Sequence, residues 1–136
     1  MINERTSLPI GLRHSEQMVV ALHHTVPQIE KDWLGFKDMP PVFATAMMVG
    51  FVEQTCIQAL RPYLSEGQHT VGTHISMSHV APTPIGRTVT AHIQLNKVDG
   101  RMLEFKVSCE DDRNIIGEGT HRRAIINIEK FISRLV

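Results

Sequence analysis

A single carboxylate interrupts the longest apolar run of the chain. The run extends from Pro41 to Leu60, and Glu53 lies inside it. On a helix turning about 100° per residue, Glu53 shares a stripe with Val49, Cys56 and Leu60. Those positions are expected to pack hardest against the rest of the protein. An ionised carboxylate buried there alone is costly, so Glu53 calls for a partner or a raised pKa.

His79 is the first candidate partner. Between Thr70 and Val80 the residues alternate, with Val71, Thr73, Ile75, Met77 and His79 on one face and Gly72, His74, Ser76 and Ser78 on the other. The first face reads as the one that covers the helix. Alone, His79 is an ordinary core histidine; opposite Glu53 it makes an acid–base pair whose pKa can sit near neutrality. Thr45, two turns before Glu53, reads either as a helix cap or as a hydroxyl beside a substrate at the helix N-terminus. There, free N–H groups and the helix dipole favour developing negative charge. Gly72 marks a kink, a bulge or a close backbone approach to a ligand. Arg123 shares parity with Ile115 and Ile125, and reads as a reach toward a phosphate or carboxylate or as a snorkelling strand-end cation. His69, His74, His92 and His121 follow no metal-ligand spacing, so no metal is expected.

The elements that position these groups follow from period and punctuation. Ser15 to His23 reads as a first strand, and residues 24 to 41, with Pro27, Gly35 and Pro40-Pro41, as a long loop or short helical turn. A helix is expected from about Ala44 to Leu60, stopped by Pro62. The period then changes to two. Val89, Ala91, Ile93 and Leu95 alternate with polar residues, Asp99-Gly100 predicts a hairpin, and Leu103, Phe105, Val107 and Cys109 form the next inward row. Asp111 to Asn114 makes a turn, a last strand runs from Ile115 toward Asn127, and the tail from Ile128 finishes as a short helix. One helix and a one-sided antiparallel meander give an α+β layer, a single domain over residues 1–136, with the sheet packed around the helix.

Composition narrows the function classes. The 136 residues hold 14 basic and 14 acidic side chains, and aromatic residues make up 5%, so neither nucleic acid nor a membrane surface is expected as a partner. Glu53 disqualifies the only candidate membrane span. Residues 1–13 read as a loose lead-in without a signal-peptide shape. Cys56 and Cys109 fall at apolar positions, as reduced core residues of a cytoplasmic protein do.

Several segments together resemble a known family. Val42-Phe43-Ala44-Thr45 with Met48-Val49-Gly50 and Glu53, Val71-Gly72-Thr73 before Ser78-His79, Ala81-Pro82-Thr83-Pro84-Ile85-Gly86, and Gly117-Glu118-Gly119-Thr120-His121-Arg122-Arg123-Ala124 are similar to the fluoroacetyl-CoA thioesterase-like family of hotdog-fold proteins. The similarity runs from about residue 10 to residue 131. It implies a hotdog fold that dimerises by joining sheets edge to edge, and hydrolysis of an acyl-CoA without a cofactor. It also implies a catalytic Thr45, Glu53 and His79, with Gly72 and Arg123 contacting substrate. Where the fluoroacetyl-specific enzyme carries an aromatic lid residue, this chain has Met39, and Phe36 retains an aromatic three residues earlier. Fluoroacetyl selectivity therefore does not follow from the resemblance. The rival readings are a non-catalytic acyl-CoA sensor or carrier, an enoyl-thioester hydratase, and a structural Glu53–His79 pair. The hydratase pattern needs an Asp near the helix start, and none lies between Phe43 and Leu60.

Overall fold

The computed structural model describes residues 8–136, so the first part of the expected lead-in lies outside the described residues. Its elements are β1 (Arg13–Val19), α1 (Val26–Ile29), α2 (Thr45–Leu60), β2 (Gln68–Met77), β3 (Thr88–Asp99), β4 (Met102–Glu110), β5 (Ile115–Asn127) and α3 (Ile128–Ser133). The first strand is shorter than expected. It stops at Val19, and Leu22–His24 forms a 3₁₀ turn instead. Residues 24–41 hold two more short turns, α1 and the 3₁₀ turn Leu34–Phe36.

The long helix forms because sixteen consecutive residues carry no proline and are mostly apolar, and Pro62 ends it in a 3₁₀ turn. Its buried stripe is Met48, Val52, Thr55, Cys56, Ala59 and Leu60. Thr55 satisfies its hydroxyl on the Phe51 carbonyl at 2.8 Å. Glu53 lies at the margin of this stripe, with its side chain 39% exposed. The expectation of a fully buried carboxylate is thus corrected, because the stripe is narrower than the apolar run.

One antiparallel sheet in the order β1-β3-β4-β5-β2 curls over α2. The inward rows Val89, Ala91, Ile93, Leu95 and Leu103, Phe105, Val107, Cys109 are all buried, as the alternation predicts. Fully burying each large side chain of these rows stabilises by about 1.5–3 kcal/mol. Burial pushes both cysteine thiols up to about 12, which keeps Cys56 and Cys109 inert. The β3–β4 hairpin turns through Gly100-Arg101, one residue on from the expected Asp99-Gly100, with Gly100 at φ +61°. The following turn is held by Asp111, whose carboxylate accepts from the Arg113 and Asn114 N–H groups and from the buried Thr83 hydroxyl. Burial raises its pKa, these donors lower it, and the net shift is downward.

β1 and β2 are the sheet edges. Strand β2 carries the irregularity that matters for the site. Its pairing with β5 slips between Gly72 and His74, so Thr73 is an extra residue. Before the bulge the inward partners are Thr70 opposite Ile125 and Gly72 opposite Arg123; after it they are Ile75 opposite His121 and Met77 opposite Gly119. The regular ladder ends at Met77, yet Ser78 and Val80 still donate to the Glu118 and Ile116 carbonyls at 3.0 and 2.7 Å, which carries the alternation on to His79. The single-parity reading of Thr70–Val80 is therefore corrected. Gly72 and His79, expected on opposite faces, both face the helix.

Candidate active site

The carboxylate end of the site is built from three elements. Glu53 comes from α2, Arg123 and His121 from β5, and Thr70 and Gly72 from β2. Arg123 Nη1 donates to Glu53 Oε2 at 2.8 Å, while Nε and Nη2 donate to the hydroxyl and carbonyl of Thr70 at 2.8 and 2.9 Å. At 3% exposure, Arg123 is a buried cation that meets its cost through these bonds. His121 lies beside it, 2% exposed. Its Nδ1 is 2.8 Å from the His74 carbonyl, and Nε2 is 3.1 Å from Arg123 Nη1 and 3.9 Å from Glu53 Oε2. A carbonyl only accepts, so Nδ1 carries the proton and Nε2 is left to accept from the guanidinium. Burial lowers the His121 pKa, the His74 carbonyl opposes that, and Arg123 lowers it further.

Gly72 closes this cluster by having no side chain. A Cβ there would stand 2.5 Å from Glu53 Oε2 and 3.3 Å from His121 Cε1. The carboxylate rests against the strand backbone for that reason, and the bulge at Thr73 permits it. Val49, Glu53, Thr73, His74, Ile75 and His121 line an open cleft of about 280 Å³ at this place.

The second part of the site lies at the start of α2. The cap position is Ala44, not Thr45, and no side chain caps the helix. Thr45 Oγ instead bonds His79 Nδ1 at 2.7 Å, which replaces the capping reading. The first helical bond runs from the Met48 N–H to the Ala44 carbonyl at 3.0 Å, so the N–H groups of Thr45, Ala46 and Met47 precede it. His79 packs edge-on to Phe43, with ring centroids 6.5 Å apart, and its buried Nε2 has no hydrogen-bond partner among the described residues. Burial lowers the His79 pKa, and the Ala81 backbone opposes it. The imidazole is therefore neutral near pH 7.

Glu53 and His79 do not pair within one chain. Eight residues of helix separate Thr45 from Glu53, about 12 Å at 1.5 Å per residue. The partner of Glu53 is Arg123, a correction whose cause is distance along the helix: β5 presents Arg123 to Glu53, and His79 bonds Thr45 at the helix start. Glu53, Gly72 and Arg123 thus come together, as do Thr45 and His79. Phe36 packs edge-on against Trp33 at 5.2 Å between centroids, and Met39 stands exposed in the loop before α2. Sequence reasoning missed His121 and Thr70. Each stands two residues from a flagged position on the same strand face, Arg123 and Gly72, and that parity was the available signal.

The family model described as FlK, fluoroacetyl-CoA-specific thioesterase, matches residues 20–129. The chain belongs to this family. The fluoroacetyl-CoA thioesterase of Streptantibioticus cattleyicolor is 40% identical over 131 residues, 96% of this chain and 94% of that protein. A solved structure of the fluoroacetyl-CoA thioesterase FlK superimposes with a TM-score of 0.93 at 41% identity, over 95% of this chain and 96% of that one. A point variant of FlK in complex with fluoroacetate and CoA gives 0.89 at 43% identity, over 91% and 99%. A hot-dog-like protein from Thermanaerovibrio acidaminovorans, 19% identical with a TM-score of 0.82 over 98% and 95%, shares the fold. The fold of this chain is a hotdog, one long helix inside a curled five-stranded antiparallel sheet, and the chain is a thioesterase.

Proposed function

We propose that the protein hydrolyses short-chain acyl-CoA thioesters with Glu53, His79 and Thr45 as its catalytic groups. The observation that carries this reading is that one thioesterase fold holds both an arginine-bound carboxylate and a neutral, hydroxyl-bonded histidine. The thioester carbonyl sits at the start of α2, where unpaired N–H groups favour the developing oxyanion. Arg123 fixes the direction of the Glu53 carboxylate. In one route the carboxylate attacks the carbonyl and expels the thiolate, and water then hydrolyses the anhydride and restores Glu53; in the other Glu53 takes the proton of a water that attacks the carbonyl directly. The proton released by water passes through His79 to the thiolate, and Thr45 orients the imidazole. The proposal specifies the reaction class and a small acyl group; Met39 gives no support for fluoroacetyl in particular.

The two parts of the site meet in a homodimer. Strand β2 is an edge with His69 and the whole run Gly72–Ser76 exposed. Antiparallel pairing of two β2 strands about a twofold axis between Ile75 and Ser76 sets Gly72 of one copy across from His79 of the other. Glu53 then faces the Thr45–His79 pair of its partner. The test is thiol release from a panel of short acyl-CoAs. Glu53→Gln and His79→Ala should each be inactive alone, and mixed dimers of the two should regain turnover. Full activity of either variant would remove that residue from the mechanism. Loss in both variants without recovery in the mixed dimer would place each site within one chain. Saturable binding of acyl-CoA without turnover by the parent protein would favour the sensor or carrier reading.

A further inference from the structure

Arg123 is buried and bonded to Thr70 and Glu53. A different part of the surface must therefore meet the phosphates of a CoA-sized substrate. Three other cations converge on one cleft of about 270 Å³ at the far end of β2. Arg101 is the second loop residue of the β3–β4 hairpin, and Lys130 and Arg134 belong to α3 and its C-cap. None of the three pairs with a carboxylate among the described residues. Lys130 and Arg134 are four residues apart, so they share a helix face, an arrangement in which like charges repel. Two backbone bonds hold the cluster in place: Ile128 N–H to the Gly67 carbonyl and Ile125 N–H to the Arg101 carbonyl, both at 2.9 Å. The chain as a whole is neutral, so this concentration of unpaired positive charge is local.

The cleft also lies in line with the site. From Gly72, against Glu53, to Gln68 is four strand residues, about 13 Å. Between them runs a second cleft of about 340 Å³, lined by Ile57, one turn below Glu53, then Arg61 and Thr70. Gln68 borders both that cleft and the cationic one. The order along this surface is carboxylate, then a groove of mixed polarity in which Ile57 and Leu64 stand beside Ser65, Glu66 and Gln68, then cations. A CoA thioester has the same order: acyl group, pantetheine arm with two amides, then diphosphate and 3′-phosphate.

We infer that Arg101, Lys130 and Arg134 form the binding site for the phosphorylated nucleotide end of the acyl-CoA. The inference rests on the hydrolase reading above. Its sign is set by charge, since no other described feature along the β2 edge offers three free cations in one concavity.

The test compares acetyl-CoA with acetyl-pantetheine, which lacks the nucleotide. In R101Q/K130Q/R134Q the KM for acetyl-CoA should rise about 10- to 100-fold with kcat nearly unchanged, because the contacts are remote from the reacting atoms. Kinetics on acetyl-pantetheine should match the parent protein. Adenosine 3′,5′-bisphosphate should inhibit the parent competitively and the variant at least 10-fold less, and raising ionic strength should weaken acetyl-CoA turnover in the parent only. An unchanged KM for acetyl-CoA, or equal losses on both thioesters, would overturn the inference. Absence of turnover on both thioesters in the parent would instead count against the hydrolase reading, and bisphosphate binding by the parent but not the variant would still report on the cationic site.

Discussion

The two parts of the site solve opposite problems with similar residues. Around Glu53 almost every polar atom is held: guanidinium to carboxylate, guanidinium to Thr70, imidazole to the His74 carbonyl. At the start of α2 a second imidazole has one bond to Thr45, and its other nitrogen is buried without a partner among the described residues. Both histidines are kept neutral by burial, but only His79 keeps a free nitrogen. The saturated cluster fixes a charge. The unsaturated pair is left able to move a proton. The difference lies in what surrounds each ring and not in residue type: His121 has Arg123 two residues away on its own strand, whereas the described partner of His79 is an uncharged hydroxyl.

Glu53→Gln should give the largest effect, lowering kcat for acyl-CoA by about 10³-fold or more with the melting temperature little changed, since Gln still accepts from Arg123. Single-turnover hydrolysis in ¹⁸O-labelled water would then tell attack by Glu53 from activation of water, through label found in the protein. His79→Ala should lower kcat about 10²- to 10³-fold, and Thr45→Val less, because the hydroxyl acts through the ring. Arg123→Met should act mostly on stability. It strips partners from the buried Thr70 and the partly exposed Glu53, a loss of about 1–3 kcal/mol readable by urea denaturation. Equal stability of this variant and the parent would dissolve the contrast between a rigid and a mobile part.

Gly72→Ala sharpens the same contrast on a smaller scale. The new methyl meets the end of a side chain, Glu53 Oε2, and not backbone. Folding should survive while kcat falls about tenfold or more as the carboxylate is displaced. Gly119→Ala is the control. There the methyl would overlap the Ser76 carbonyl, so β2 itself should come away from β5 and stability should fall.

The smallest effect is on pH. His79 and His121 have folded pKa values below their unfolded value of about 6.5. The unfolded chain binds protons more readily, so stability is unaffected above that value and falls as pH drops below it. His121→Gln should flatten this acid-side slope in a chemical-denaturation series across pH 5 to 7.

The core was legible in the sequence because period-two burial is a local property. The rows of β3 and β4, the hairpin at Gly100 and the extent of α2 follow from residue type and spacing alone. The pairing of Glu53 was not legible, because it depends on the register of two strands with respect to each other. An alternation rule carries no knowledge of an inserted residue; it ran through Thr73 and put Gly72 and His79 on opposite faces. The burial of Glu53 was overstated for a related reason. An apolar run of twenty residues suggests an all-round buried helix, yet the sheet covers only one side of α2. The resemblance supplied Thr45, Glu53, His79, Gly72 and Arg123 as a set, without the geometry that divides them or the His121 that buttresses one part.

The bulge at Thr73 acts as a phase shifter. Upstream of it the strand addresses the carboxylate; downstream the same strand addresses the helix start, half a period out of step. Without Thr73 the residues Gly72 and His79 would stand six apart, the even spacing that places both on one face of a regular strand paired with β5. The bulge therefore reconciles an odd sequence spacing with a shared face, and a chain one residue shorter at this place should reach the same geometry with an unbroken ladder.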